Sequence, residues 1–367
     1  MKLKIPENRK IAPFLVFYII TSSQIGLGVL GFQRIIAKDA GTDSWISIII
    51  GGILLQILMI CIYKMLNIVK GDWYDVHAFI FGEKISKIFS LLLAIYACFK
   101  MITVLRGYIE IVQVWMFHTF NTFKFGLAFL LLSVYIVYGG FRTIVGINVF
   151  SMIILFLVMP LFLYTVPYAN PSFLKPVFSH SLGEIFKAVI GISYSYMGYE
   201  IILFIYPFLK EPAKSKKWAH FALLFTTLFY LYIAILTFMF FPVEAIDQLI
   251  WASLNMWKII EMPFVERFEY IGIATWFVIM LPKVCLYLWI SGQMLKRSFD
   301  VRLRTSIPII ASLCLIVLPF MENRTQIHSA IDFVSQIDLY LTGIYIPILF
   351  ICVLIVWKVK KRGKTSN

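Results

Sequence analysis

Apolar runs of about 20 residues alternate with short polar and charged segments from one end of the chain to the other. A hydrocarbon layer about 30 Å thick needs a helix of about that length at roughly 1.5 Å rise per residue, so the pattern predicts membrane-spanning helices. Ten spans are expected, at 11–33, 44–66, 85–117, 123–140, 143–166, 184–208, 217–240, 268–295, 305–322 and 337–357. The expected fold is therefore an all-α integral membrane protein with ten transmembrane helices, forming one permease-like domain over residues 1–367. Composition points the same way: of 367 residues 61% are hydrophobic and only 14% charged, where a soluble chain carries about 25% charged residues. A soluble enzyme is excluded.

The net charge is +14, which in another chain would suggest nucleic acid. Here Lys and Arg sit at the ends of segments rather than on one folded face, so no nucleic-acid partner is expected. With the N-terminus placed in the cytoplasm, 22 of them fall on the inner side and seven on the outer. Positively charged loops resist translocation, so both termini are expected in the cytoplasm of a multi-pass membrane protein. The basic stretch before the first span resembles a signal peptide, but the span runs too long and has no small-residue cleavage site. The five cysteines stand singly in apolar spans and the five histidines in loops or at span ends, so no disulfide framework, metal site or cofactor is expected.

Two connections carry structure of their own. Residues 68–84 mix aromatic and charged side chains suited to the cytoplasmic interface. Between Pro242 and Arg267, Trp251, Leu254, Trp257 and Ile260 recur at helical spacing and predict a short amphipathic helix on the outer surface.

Inside the membrane every backbone amide and carbonyl must be paired, so glycines grouped in mid-span are tolerated only where the chain faces protein, water or ligand. Span 1 contains such a group, Thr21-Ser22-Ser23-Gln24-Ile25-Gly26-Leu27-Gly28-Val29-Leu30-Gly31. It includes Gly-x-Gly-x-x-Gly, but the dinucleotide fingerprint requires a preceding strand, and here the glycines interrupt a span. Close helix packing and an unwound binding segment both remain open for them. Span 6 has a comparable interruption, Ile192-Ser193-Tyr194-Ser195-Tyr196-Met197-Gly198-Tyr199-Glu200, ending at Pro207. Spans 1 and 6 open two five-span halves, 11–166 and 184–357; five is odd, so the halves enter from opposite sides as an inverted 5+5 repeat with broken helices 1 and 6. Half-helix ends leave amides free for a carboxylate and carbonyls free for an ammonium. An amino acid carries both charges. No nucleophile with a nearby base is found, and no catalytic residue is expected.

Ionisable residues at membrane depth are costly and so are functional candidates. Lys100, Thr103, Arg106, Gly107 and Glu110 form one stripe of span 3, with Arg106 and Glu110 spaced to pair at i, i+4. Such a stripe fits either a self-solvating pair near the interface or a wall of the interior. Glu200 follows the span 6 interruption directly and suits either a structural acceptor for unwound amides or a ligand or proton site. Lys283 lies mid-span in span 8 after Pro282, with Tyr287 one turn further; a lysine at that depth must face inward, or reach along the helix to the interface. Candidate ligand-binding residues are Ser23, Gly26, Leu27, Gly28, Val29, Tyr194, Tyr196, Met197, Gly198, Glu200, Lys283 and Tyr287.

The ten-span count and paired broken helices resemble the amino acid/polyamine/organocation superfamily. Several strings resemble its spore germination permeases, the B subunits of nutrient germinant receptors: Arg106 with Glu110; Leu174-Lys175-Pro176; Met197-Gly198-Tyr199-Glu200 followed by Pro207 and Pro212; and Pro263-Phe264-Val265-Glu266-Arg267-Phe268-Glu269 leading to Trp276. Arg106, Glu110, Glu266 and Arg267 are accordingly structural or coupling candidates. The resemblance implies a receptor subunit in the inner membrane of a spore, assembled with a larger A subunit and a lipoprotein C subunit, that senses a small nutrient. It also implies that Lys283 could stand where sodium-coupled members hold a cation between helices 1 and 8. The alternatives are an amino acid symporter coupled to protons or sodium and a channel subunit.

Overall fold

The computed structural model describes residues 5–260 and 266–365. The first apolar run forms two helices, α1 (Leu15–Gln24) and α2 (Gly28–Ala40), with Ile25, Gly26 and Leu27 out of helix between them. Then come α3 (Ser44–Val69), α4 (Trp73–Phe81), α5 (Glu83–Trp115), α6 (Thr122–Tyr138) and α7 (Phe141–Val158), the last continued by a 3-10 segment, Met159–Tyr168. The sixth expected span is also broken. Its α8 (Leu182–Ser193) gives way to turns over 194–198, a 3-10 turn Tyr199–Ile201 and α9 (Ile202–Ile205). The chain ends with α10 (Ser215–Phe240), α11 (Val243–Gln248), α12 (Ala252–Trp257), α13 (Phe268–Phe299), α14 (Leu303–Val317), α15 (Arg324–Tyr340) and α16 (Ile346–Thr365). A π-helical turn, Leu341–Tyr345, joins the last two.

Among the described residues seven helical runs are long and apolar enough to cross a membrane, and Leu15–Gln24, Thr122–Tyr138 and Tyr199–Phe208 are shorter apolar helices. Large apolar side chains stand exposed on the outer helices, among them Leu131, Leu157, Phe186, Leu313 and Ile355. Water would not tolerate so much contiguous apolar surface, and lipid requires it. The protein is a multi-pass membrane protein. Local polar chemistry sets several helix starts: Asp72 and Asp75 form a capping box on α4, and Ser181 and Glu184 form one on α8. The centre is held by α13, which packs along α5 and also touches α1, α6, α7 and α14.

Two expected features differ in the structure. The segment after α10 forms two short helices rather than one surface helix, and Leu254, Trp257 and Ile260 are buried. Trp257 meets Trp276 of α13 edge-on with ring centroids 5.7 Å apart and lies over Gly272, where the missing side chain makes room for the indole. Burying so large an aromatic face between α2 and α13 outweighs leaving it at an interface. The last expected span, 337–357, belongs to a longer helical run that begins at Arg324, because an Asn323–Gln326 capping box starts the helix thirteen residues earlier. Pro263, Phe264 and Val265 lie outside the described residues.

Candidate functional site

The two helix breaks are seated on each other. Gly198 has φ +115°, a conformation that favours glycine, and a Cβ there would lie 2.5 Å from the carbonyl oxygen of Ser23. Reciprocally, a Cβ on Gly28 would lie 2.8 Å from Ser195 Oγ and 3.2 Å from Ser195 Cα. Close backbone approach is thus what these glycines provide. The unwound carbonyls are met by side chains: Gln24 Nε2 donates to Tyr196 O at 2.7 Å, and the single hydroxyl proton of Tyr230 on α10 is shared between Ser195 O at 2.9 Å and Gln24 O at 3.3 Å. A buried carbonyl left without a donor costs about 1–3 kcal/mol, so these donors help two adjacent breaks to be tolerated. Tyr196 donates in turn to Ile48 O at 3.0 Å.

Just beyond the second break lies a buried ionic cluster. Glu200 uses both oxygens, accepting from the Gly198 amide at 2.8 Å through Oε2 and from Lys100 Nζ at 2.8 Å through Oε1. Lys100 also donates to Asp338 Oδ2 of α15 at 2.6 Å. All three side chains are buried. The Tyr96 and Tyr287 rings stand 5.4 and 5.2 Å from the same ammonium. A cavity of about 20 Å³ borders Lys100, Glu200 and Tyr287, large enough for a water molecule and too small for an amino acid. The site is closed around its own charges.

Lys283 extends inward from α13 and its Nζ occupies the space where a side chain on Gly26 would begin. It is 7% exposed, so it does not reach along α13 to the interface, and it forms no hydrogen bond or ion pair with the described residues. The helix 1 break therefore holds the buried amine of Lys283.

The other candidates divide. Ser23 bonds back to Ile19 O at 2.7 Å, Val29 O accepts from Ser253 at 2.9 Å, and Leu27 packs its methyl against Gly107 of α5. Tyr287 is buried beside Lys100, whereas Tyr194 and Met197 are only half-buried. Arg106 and Glu110 are buried but do not pair. Arg106 donates to Met321 O at 2.8 Å, and Glu110 faces Arg324 at 3.8 Å, because the turn after α14 and the start of α15 bring competing partners to them. Glu266 and Arg267 lie exposed ahead of α13, where Arg267 pairs with Glu269 at 2.9 Å. Arg267 precedes Lys283 by 16 residues, roughly 24 Å along the helix.

Asp338, Gln24 and Tyr230 are structural partners of the site that sequence reasoning did not select, and Lys100 was placed only on a stripe. For Asp338 the available signal was a lone acid within the otherwise apolar tenth span.

The chain is similar over residues 10–327 to the family model described as spore germination protein. It is 36% identical over 348 residues to spore germination protein GerQB of Bacillus cereus, covering 95% of this chain and 97% of that one. It is 22% identical over 337 residues to spore germination protein A2 of Bacillus subtilis, covering 89% and 91%. Among solved structures it resembles MhsT in complex with L-phenylalanine, with a TM-score of 0.63 at 14% identity over 94% of this chain and 88% of that one. It also resembles a Na+-coupled sialic acid symporter, with a TM-score of 0.62 at 11% identity over 95% and 77%. The solved structures show a shared transporter fold; with the family match and the GerQB identity beside the interlocked breaks, the chain belongs to the spore germination protein family.

Proposed function

We propose that this chain is the integral-membrane B subunit of a spore germinant receptor and senses a small nutrient, an amino acid, whose binding triggers germination. The observation that carries this reading is the seating of Gly198 on Ser23 and of Ser195 on Gly28, in a chain of the spore germination family. Two broken helices meeting at mid-membrane are the usual setting of a transporter-type binding centre. In this reading ten helices cross the membrane as inverted repeats 11–166 and 184–357, within one domain and with both termini in the cytoplasm. The spore inner membrane houses the protein, an A subunit and a lipoprotein C subunit complete the receptor, and the function is not enzymatic.

The nutrient carboxylate is taken at Gly26, Leu27, Gly28 and Val29 with Lys283, and its amino end at the span 6 break with Tyr194, Tyr196, Met197 and Glu200. Ser23 and Tyr287 complete the site. Arg106, Glu110, Glu266 and Arg267 support or transmit. Binding shifts a two-state equilibrium by the difference in affinity between the two states.

The test is germination of spores lacking this chain, complemented with wild type or variants, against a panel of amino acids. Loss of response to one amino acid, restored by wild type and not by Gly198→Val, is expected. Normal response of the deletion to every amino acid overturns the reading. A second reading, an amino acid symporter coupled to protons or sodium, is favoured by the likeness to the Na+-coupled sialic acid symporter and to MhsT in complex with L-phenylalanine; uptake of labelled amino acid into vesicles containing the purified chain would support it instead.

A further inference from the structure

Two carboxylates and two aromatic faces converge on one ammonium inside the membrane. Glu200 comes from the segment after the second break, Asp338 from α15, Tyr96 from α5 and Tyr287 from α13, and at their centre stands Lys100 Nζ, 2.8 and 2.6 Å from the two carboxylates. The rings lie behind them at 5.4 and 5.2 Å. Anionic oxygens in contact with aromatic faces behind recognise an R–NH3+ group as such, not the chain that carries it.

We propose that Lys100 is a tethered occupant of an ammonium-binding cage, and that a primary amine, the amino group of the nutrient, enters the site by replacing it on Glu200. This rests on the reading of Glu200 as part of the nutrient site. Three observations bear on it. Lys100 is shared between carboxylates on two different elements, so it can leave Glu200 and keep Asp338. The cavity of about 20 Å³ lies directly beside this ammonium and borders Glu200 and Tyr287. Lys283, whose Nζ lies at the helix 1 break, gives the nutrient's own carboxylate a basic partner. Lys100 stays on Asp338 while the incoming ammonium takes Glu200, so each carboxylate keeps a basic partner, and breaking a buried pair without a replacement is strongly disfavoured. Exchange would also uncouple α5 from the segment after the second break, which turns binding into movement of the chain.

The experiment is methylammonium binding to purified full-length protein in detergent, measured by calorimetry at constant ionic strength in sodium chloride, for wild type and Lys100→Met. Methionine keeps the length of the stem and empties the cage. The expected result is binding to Lys100→Met at least about tenfold tighter than to wild type, equivalent to about 1.4 kcal/mol. Equal binding, or uptake of sodium or potassium with no uptake of methylammonium, overturns the cage. If Lys100→Met does not fold, Lys100→Met with Asp338→Asn removes one charge of each sign, and methylammonium must then bind at Glu200; no binding to that folded double variant overturns the proposal. Loss of germination in Glu200→Gln spores with no amine binding by Lys100→Met would fell the cage and leave the receptor reading standing. Amine binding by Lys100→Met, with spore responses that do not depend on this chain, would do the reverse.

Discussion

The carbonyl oxygen of Ser23 lies 2.5 Å from where a Cβ on Gly198 would stand, so the break in one half of the chain bears directly on the break in the other. Gly198 holds a left-handed φ of +115°, and the atom in its way is backbone, which has no rotamer to yield.

Gly198→Val is therefore expected to insert in the membrane yet lose about 3 kcal/mol or more of stability, from strain and overpacking together, and to abolish the nutrient response. Gly28→Val should also abolish the response, while Gly28→Ala should be milder, since Ser195 Oγ can rotate away. Thermal unfolding in detergent and germination dose–response curves check both. Valine variants that insert and respond normally would sink the broken-helix site.

Glu200→Gln keeps the shape of the side chain and one acceptor for the Gly198 amide, but turns an amide donor or a neutral oxygen toward Lys100. A buried ion pair that loses one member costs about 3–5 kcal/mol, and Asp338 still holds Lys100, so a loss near the lower end is expected. Sensitivity to nutrient should fall strongly. An unchanged dose response would remove Glu200 from the site.

Lys283 places its amine at the helix 1 break, and the role proposed for it there is to stand in for an external cation. Nutrient binding should be equal in sodium-free and sodium-containing buffers for wild type, and weakened in Lys283→Ala. Sodium dependence of wild-type binding would refute this role.

A loop far from the centre offers a pH test. Asp43, ahead of α3, is fully buried and accepts from the backbone amides of Phe178, Ser179 and His180 at 2.7, 2.7 and 3.0 Å. Next to it Thr42 donates to Pro176 O at 2.7 Å. Burial pushes the Asp43 carboxyl up, but the amides of His180 and Phe178, the His180 ring 3.1 Å away and the Ser179 amide together outweigh it and hold the pKa below its ordinary value. A depressed carboxylate stabilises the fold above its unfolded pKa of about 3.9, and that stability is lost as pH falls through the folded value. Asp43→Ala should lower the unfolding temperature at about pH 7, and the gap to wild type should narrow as the pH falls below the unfolded value of about 3.9. A gap that does not narrow with acid would show that the amides do not depend on the charge.

The interruptions at 25–27 and at 194–198 were legible because glycine and polar residues in mid-span have few explanations in a bilayer. The inward position of Lys283 was legible for the same reason: an ammonium at that depth must find the interior. The failure of Arg106 to pair with Glu110 was not legible. Spacing at i, i+4 says that two side chains on one helix can meet, but Met321 and Arg324, more than 200 residues away, compete for them.

The sequence by itself determined the membrane class, the places where the first and sixth spans break, and the inward turn of Lys283, because hydropathy and backbone pairing are local demands that each segment meets alone. The choice of partners belonged to the tertiary structure. Lys100 meeting Glu200 and Asp338, Gly198 seated on Ser23, and Trp257 folded under Gly272 each join residues from different helices. Helix-to-helix register is set by side-chain packing in three dimensions, and no periodicity along one segment encodes it.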